Sequence, residues 1–347
     1  MPRQRRPTIA DIAAEAGVSK MAVSFALGGR PGVSEDTRER IRAIADRLGW
    51  QPNSAARSLS AARAGAVGLV LARPATDLGT DTFYMQLLAG LASELSDHST
   101  AFVLQVAADL DRELEIYTAW AAQRRVDAVL VTDLRVDDPR PAHLASLGLP
   151  AVVPGADDAP AGLRSDDAGA MDRVLDHLTG LGHVRIARVT GPHEFQYTQR
   201  RGEAFVGGLA ARGLTGTIIE ASTSSVVDLM RSPKRPTAIV FDTDLLAVTG
   251  TAAIRAAGFA VPHDVSIVAW DGSLLVDVID PPLTSLKRDV FALGRRAATE
   301  LVRVADGGLD APDDTDYSAP HLRVRGSSGP PPPEIAGESS PAIALPV

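Results

Sequence analysis

Between residues 66 and 270, short runs of apolar residues alternate with longer segments in which apolar residues recur at helical spacing. The short runs are typical of buried strands, and the longer segments are typical of helices with one buried face. The predicted strands are 66–71, 101–106, 127–131, 151–153, 184–189, 216–219, 238–241 and 266–270, and the predicted helices are 83–95, 112–122, 143–147, 172–179, 200–212, 226–230 and 245–257. Strand and helix in turn indicate an α/β fold with parallel sheets and right-handed crossovers.

This alternating region is long for a single sheet, so we predict two α/β subdomains. In open parallel sheets, ligands bind in the crevice beyond the carboxyl ends of the strands. The pattern therefore also predicts a small-molecule site in this part of the chain.

The first 50 residues follow a different pattern, that of three short helices. Thr8 can cap the first helix, Gly17 can end it in a left-handed conformation, and Ser19 can cap the second. Ser34 can cap a third helix, whose apolar stripe runs to Leu48. Two helices joined by a tight turn with glycine indicate a helix-turn-helix, although a three-helix bundle without a ligand has the same pattern.

A helix-turn-helix places its second helix in the major groove of DNA, with the first turn nearest the bases. Lys20 can donate to guanine there, and Met21 and Phe25 can pack on thymine methyl groups. Ser19, Ser24 and the N-terminus of the helix suit phosphate oxygens.

The segment 52–59, with the sequence PNSAARSL, follows these helices. It resembles the hinge helix of the lactose-repressor/galactose-repressor family of bacterial transcription factors, which has the form Asn-x-x-Ala-Arg-x-Leu. The matching residues are Asn53, Ala56, Arg57 and Leu59. The headpiece pattern of that family, Thr-Ile-x-Asp-Ile-Ala-x-x-Ala-Gly-Val-Ser, is intact from Thr8 to Ser19.

The resemblance implies that Thr8 and the four hinge residues bind DNA. It also implies that Leu59, paired with its counterpart in a dimer, opens the central base step from the minor groove. The alternative is that Leu59 is one more core leucine. Because about eight residues are too few for a stable isolated helix, we predict that residues 53–60 fold only on operator DNA.

By the same resemblance, the rest of the chain is similar to periplasmic sugar-binding proteins, in which the chain crosses between subdomains three times. We place the crossings near Gly162, Lys287 and Asp314. The predicted division is a headpiece at 1–50, a hinge and linker at 51–64, subdomain one at 65–162 plus 288–313, subdomain two at 163–287 plus 314–326, and an unpacked tail rich in proline and serine at 327–347. Because the tail lacks the leucine heptad with which some relatives form tetramers, we expect a homodimer.

The expected effector is a small polar metabolite, and a sugar in particular. The resemblance assigns its binding to Asp166, Arg201, Asp244, Trp270 and Asp271, and Phe83 is expected to add an aromatic face at the mouth of subdomain one. Arg200, the neighbour of Arg201, should point elsewhere on its helix. The alternatives are structural ion pairs for the charged residues and ordinary core packing for the aromatic ones.

Charge is distributed unevenly along the chain. Residues 1–64 contain 11 Lys and Arg against 6 Asp and Glu, whereas the remainder contains 24 against 37. A basic small domain beside an acidic large one fits binding of double-stranded DNA at one end of the chain only.

The remaining composition narrows the class of protein. There is no cysteine and no apolar run of transmembrane length, and no apolar segment follows the arginine-rich N-terminus. We therefore expect a cytoplasmic protein with no membrane partner. The resemblance implies that it is bacterial and associates with the nucleoid when bound to DNA. Motifs for phosphate loops, serine hydrolases, zinc proteases and dinucleotide binding are absent, so neither a cofactor nor a metal nor an enzyme is expected. The alternatives are an α/β enzyme with a DNA-binding head and a transport-type binding protein.

Overall fold

The computed structural model of the protein describes residues 7–50, 63–74, 79–156, 159–160, 163–308 and 319–333. The chain divides between Ala64 and Gly65 into two compact units. In the described ranges, no helix is both long enough and apolar enough to cross a lipid bilayer.

The first unit consists of three helices, α1 (Ile9–Ala16), α2 (Lys20–Leu27) and α3 (Glu35–Arg47). Thr8 and Asp11 form a capping box at the start of α1. Gly17 ends the helix with φ of 66°, a conformation that costs glycine little. The shared core consists of Ile12, Ala13, Ala16, Val23, Ala26, Ile41, Ile44 and Ala45. The predicted helix-turn-helix fold is thereby confirmed.

The second unit contains two parallel sheets, as the alternating pattern predicts. Subdomain one has the strand order β2 (Ala101–Ala107), β1 (Ala66–Ala72), β3 (Ala128–Leu130) and β4 (Ala151–Val152), and all its strands are parallel. Helices α4 (Thr82–Asp97), α5 (Leu110–Gln123) and α6 (Arg140–Ser146) connect them.

Subdomain two has the strand order β10 (His321–Arg323), β9 (Thr284–Lys287), β8 (Ser266–Ala269), β7 (Ala238–Phe241), β5 (Ile186–Thr190) and β6 (Gly216–Glu220). Its helices are α7 (Asp167–Gly180), α8 (Gln196–Ala211), α9 (Thr223–Arg231), α10 (Asp244–Ala256) and α11 (Leu274–Val278). Strand β10 runs antiparallel to β9, the one departure from parallel pairing in this sheet as described. Alternate residues of β7 belong to two different cores, so the sheet is covered on both faces.

Helix α12 (Val290–Ala305) packs in subdomain one, although it follows β9 of subdomain two in the chain. It crosses α4 so closely that a Cβ on Gly90 would lie 2.1 Å from the Phe291 carbonyl oxygen, and one on Gly294 would lie 2.3 Å from that of Leu87. Only glycine allows two helix backbones to approach to this distance. The sequence pattern above omits α12, β9 and β10.

The chain passes between the subdomains three times, between β4 and α7, between β9 and α12, and between α12 and β10. The predicted crossing points Gly162 and Asp314 lie outside the described residues.

The stretch 327–333 corrects one expectation, since the sequence predicts an unpacked tail from residue 327. Ser327 is fully buried, donates to the Ile267 carbonyl (2.6 Å) and accepts from the Thr284 amide (2.8 Å). The Gly329 carbonyl accepts from His183 Nε2 at 2.9 Å. A composition rich in serine and glycine is typical of disordered segments. Here the small size of these residues lets the backbone lie against β8. Residues 334–347 lie outside the described part of the chain.

Candidate functional site

A cavity of about 770 Å³ lies between the two subdomains. The strand order reverses between β1 and β3 in subdomain one and between β5 and β7 in subdomain two. Ligands bind at such reversal points, beyond the carboxyl ends of the strands. The cavity lies at both points, because its lining includes Arg73 after β1, Asp133 after β3, Thr190 at the end of β5 and Asp242 after β7.

Arg201 is held by four contacts in the wall formed by subdomain two. Its Nε donates to Asp167 Oδ1 and one terminal nitrogen donates to the Asp242 carbonyl, both at 3.0 Å. The guanidinium also lies over two rings, 4.5 Å from the centroid of Trp270 and 5.0 Å from that of Tyr197. Hydrogen bonds at the edge of the guanidinium and aromatic rings against its faces fix the orientation of Arg201. Its remaining N–H donors are therefore oriented before a ligand binds.

The carboxylate of Asp167 remains ionised in this wall. Burial opposes its charge, but the nearby guanidinium groups of Arg201 and Arg288 outweigh burial and keep the pKa of Asp167 below its ordinary value. A second pair lies beneath, where Arg188 donates to both carboxylate oxygens of Asp242 at 2.8 and 2.6 Å. This buried pair supports the backbone at Asp242, whose carbonyl accepts a hydrogen bond from Arg201.

Asp271, directly after β8, contributes an acceptor of a different kind. Burial, and then the negative charge of Asp244, raises the pKa of Asp271 to about 7. Arg288 lies 3.8 Å away and offsets only part of this effect. The protonation of a cavity carboxylate therefore changes close to neutral pH.

The effector residues expected from the sequence divide into two groups. Phe83, Arg201 and Asp271 line the cavity. Asp244 also lines it, but its carboxylate accepts from the backbone amides of Asp271, Gly272 and Ser273, so it shapes the loop after β8 instead of standing free for a polyol.

Asp166 and Trp270 are not part of the cavity lining. Asp166 caps α7 by accepting from the Gly169 amide, and it pairs with Arg173 at 3.1 Å on a half-exposed surface. Trp270 is fully buried in the core, where it supports Arg201 from below. Neither side chain contributes to the cavity lining, so the direct ligand contact expected of each residue stays a prediction.

A second arginine organises the wall formed by subdomain one. Arg73 Nε donates to Asp133 at 2.5 Å, and a terminal nitrogen lies 3.4 Å from Asp81. The Tyr84 hydroxyl donates to the same Asp133 oxygen at 2.7 Å, and its ring lies 5.0 Å from the Arg73 guanidinium. Both walls thus combine an arginine with carboxylates and aromatic rings.

The two subdomains meet along one edge of the cavity in a contact that we call the cross-cleft clasp, formed by residues 134–136 and 194–196. The Val136 amide donates to the Glu194 carbonyl (3.0 Å), and the Gln196 amide donates to the Leu134 carbonyl (2.8 Å). The ring of Phe195 is buried between two guanidinium groups of subdomain one, at 5.5 Å from Arg73 and 5.4 Å from Arg135.

Several cavity residues are missing from the sequence-based assignment. Asp167 is the neighbour of Asp166, to which the resemblance assigns effector binding. Arg73 and Asp133 follow strands β1 and β3, a position at which the reversal-point rule predicts ligand-binding residues. Arg200, expected to point elsewhere, also lines the cavity and donates to the Gly155 carbonyl at 2.5 Å. The pairing of Phe195 with subdomain one left no local signal in the sequence.

In the first unit, Lys20, Met21 and Ser24 form an exposed face on the first turns of α2, and Met21 is 66% exposed. Ser19 caps the helix by accepting from the Ala22 amide (3.1 Å). Phe25 is half-buried next to Gly32. Thr8 is exposed at the start of α1, and the predicted hinge contacts Asn53, Ala56, Arg57 and Leu59 lie outside the described residues.

A helix-turn-helix unit joined to a two-subdomain core with a central cavity defines the class of ligand-responsive DNA-binding regulators. Residues 8–53 match the family model of bacterial regulatory proteins of the lacI family, and residues 175–328 match that of the periplasmic binding protein-like domain. The chain belongs to the lacI family of transcriptional regulators, as its headpiece and hinge motifs indicate.

Similar proteins cover nearly the whole chain. The HTH-type transcriptional regulator AglR of Rhizobium meliloti is 33% identical over 91% of this chain and 92% of its own length. The regulator CelR of Thermobifida fusca is 30% identical over 94% of this chain and all of its own. A solved complex of a regulator CelR with cellobiose has a TM-score of 0.67 at 29% identity and covers 93% of this chain and 100% of its own. The lac repressor dimer bound to operator, at 22% identity, has a TM-score of 0.79 over 94% of this chain and 100% of its own, and it supports the fold alone.

Proposed function

We propose that the protein is a homodimeric repressor whose affinity for operator DNA is set by a sugar bound between its two subdomains. The observation that carries the proposal is Arg201, held over Trp270 and Tyr197 at the cavity wall near the Asp271 carboxylate. Fixed guanidinium donors and carboxylate acceptors match the hydroxyl groups of a sugar, and aromatic rings match its apolar faces.

The relatives support the same effector class. The CelR structure with cellobiose has a similar fold along almost the whole chain. Binding of a neutral polyol here requires no metal, cofactor or catalytic step, and we propose none. The regulator acts in the cytoplasm and is associated with the nucleoid when bound to DNA.

On DNA, two headpieces bind a pseudo-palindrome whose half-sites are about one helical turn apart. Lys20, Met21 and Ser24 face the major groove, with Phe25 at the edge of this surface, and Ser19 and Thr8 hold phosphates. The hinge residues Asn53, Ala56, Arg57 and Leu59 enter the minor groove.

The sugar acts on DNA binding through the hinges. Closure of the two subdomains changes the separation of the paired hinge segments, and this changes the free energy of folding them on DNA. Such coupling joins two distant sites through one element with two states.

Selection of bound sequences from random DNA, followed by a thermal-shift screen with neutral sugars, tests the proposal. We expect one selected operator, loss of its binding on deletion of residues 1–60, and a sugar that changes operator affinity. Arg201→Lys should abolish the response to that sugar, because a lysine ammonium cannot bond to Asp167 and the Asp242 carbonyl and also present donors to the ligand in the fixed planar geometry of a guanidinium. Arg212→Lys is the matched control, since Arg212 lies at the end of the same helix and pairs with Asp172 and Asp176 on the surface. Operator binding without residues 1–60, or turnover of the sugar, would refute the proposal.

A further inference from the structure

Each subdomain contributes a polar wall to the cavity, and the charged groups that the proposed sugar contacts use belong to only one of them. The wall of subdomain two centres on Arg201, Asp167 and Asp271. The wall of subdomain one centres on Arg73 and Asp133, which belong to different strands of the other sheet.

We propose that the second wall is a second ring subsite, so that the effector is a neutral glycoside of at least two sugar rings. This inference rests on the proposed function, since it presupposes that a sugar binds at Arg201. One ring contacts Arg201, Asp167 and Asp271, and the next ring contacts Arg73, Asp133 and Phe83.

Unused polar groups on the second wall support this assignment. Asp133 accepts from Arg73 and from Tyr84 through Oδ2, whereas its Oδ1 has no donor among the residues that the structure describes. Arg73 is a quarter exposed and uses its Nε and one terminal nitrogen in the contacts with Asp133 and Asp81. Its other terminal nitrogen has no acceptor in the described structure. A carboxylate oxygen and a guanidinium edge at the surface of the cavity can therefore bind adjacent hydroxyls of one ring.

An apolar surface accompanies these groups. Phe83, on the first turn of α4, lines the cavity and packs edge-to-face on Tyr84, with the ring centroids 5.5 Å apart. The rigid pair offers an aromatic face to the C–H side of a sugar ring. The second wall thus repeats the combination found around Arg201.

The size of the cavity agrees with two rings. Cavities of roughly 300–1,000 Å³ enclose drug-sized ligands. At about 770 Å³, this one lies in the upper part of that range and has room for more than one ring.

The charge of the lining argues for a neutral effector. Among the residues that the structure describes, nine Asp and Glu residues and six Arg residues line the cavity. The two central arginines are already paired, Arg73 with Asp133 and Arg201 with Asp167. A sugar phosphate would meet an excess of negative charge among these residues and two central arginines that already have carboxylate partners, so its desolvation would be poorly compensated.

Calorimetric titration of the full chain tests the second subsite. The probes are glucose, galactose and fructose, the disaccharides cellobiose, maltose, melibiose and sucrose, and a glucose phosphate. We expect one disaccharide to bind at least about tenfold more tightly than either of its component sugars, since hydrogen bonds to charged groups contribute at least that factor. The glucose phosphate should bind more weakly than glucose.

Two variants on the second wall then locate the additional affinity. Asp133→Asn and Phe83→Ala should each bring the affinity for the disaccharide down towards that of its component at the Arg201 wall. Asp137→Asn is the matched control for the first, because Asp137 is exposed on the same loop and has φ of 52°, which asparagine also tolerates. Thermal melts show whether each variant is folded, and Phe83→Ala remains informative if Asp133→Asn is not.

The outcomes separate the two proposals. Equal affinity for the disaccharide and its component, or an equal loss of both in the variants, overturns the second subsite and leaves the sugar site at Arg201 in place. Tighter binding of the glucose phosphate overturns the neutral effector class. Binding of none of the sugars overturns the second subsite together with the proposed effector.

Discussion

Replacement of Phe195 by alanine should weaken binding of the sugar, because Phe195 holds the two subdomains together at the cross-cleft clasp. Its ring is 6% exposed and lies between Arg73 and Arg135, with guanidinium-to-centroid distances of 5.5 and 5.4 Å. Both arginines belong to subdomain one, whereas Phe195 precedes α8 of subdomain two. The ring therefore loses both contacts whenever the cleft opens.

Two cation–π contacts contribute about 1 kcal/mol each at partly buried sites, or about 2 kcal/mol in favour of the closed form. Because the proposed sugar site closes around its ligand, Phe195→Ala should lower the affinity for the sugar by up to about thirtyfold. Glu194→Gln removes only the ion pair between Glu194 and Arg135, in which the glutamate side chain is 51% exposed. A pair so exposed contributes less than about 1 kcal/mol, so this change should cost less than about fivefold.

Calorimetric titration measures the affinities, and small-angle scattering with and without the sugar reports closure. Phe259→Ala is the matched control, because Phe259 lies under Arg235 at 5.2 Å within subdomain two. It should lower the melting temperature and leave the affinity for the sugar unchanged. Wild-type affinity in Phe195→Ala, or an equal loss in Phe259→Ala, would show that the clasp does not stabilise the closed form.

Four further predictions concern the cavity, the headpiece and the hinge. Asp271, whose pKa burial raises to about 7, should accept sugar hydroxyls best when ionised, so affinity should rise from about pH 6 to about pH 8 in the wild type but not in Asp271→Asn. Because the pKa of Asp271 is raised in the folded protein, its contribution to the free energy of unfolding is greatest below the pKa of the unfolded carboxyl and declines as the pH rises to about 7. A melting series that shows no difference between the wild type and Asp271→Asn over this pH range contradicts the assigned environment. Lys20→Ala should change base preference at particular operator positions by about 1–3 kcal/mol in a binding-site selection, whereas a uniform loss at all sequences would make Lys20 a phosphate contact. Backbone amides of residues 55–59 should exchange fast in the free protein and slowly on operator DNA, and protection without DNA would disprove folding on the operator.

Much of the fold could be predicted because buried strands leave continuous apolar runs. Strand β1, for example, was predicted at 66–71 and is observed at Ala66–Ala72. The apolar pattern omits helix α12, and only the family resemblance assigns residues 288–313 to subdomain one, because the helix packs on α4 some 200 residues earlier in the chain. Local patterns contain no information on such a partner.

The candidate site could be predicted only in part, for reasons of geometry. The two neighbouring aspartates at the start of α7 have different partners. Asp166 caps the helix, whereas Asp167 accepts from Arg201. Strand alternation separates Trp270, which faces the core, from Asp271, which faces the cavity. A shift of one residue in either element exchanges the roles of the two neighbours, and sequence spacing alone does not determine which of them reaches the cavity.

The close crossing of α4 and α12 also sets an order in which the protein can be completed on the ribosome. Subdomain one takes core residues from α12, among them Val290, Ala297 and Leu301, which are synthesised after subdomain two has acquired strands β5 to β9. Until residues 290–305 have been synthesised, the groove over Gly90 lacks its partner, and the core around the leucines of α4 lacks the side chains that α12 supplies. A fragment that ends at residue 162 should therefore need chaperones or aggregate, whereas the same fragment co-expressed with residues 288–308 has the means to close its core.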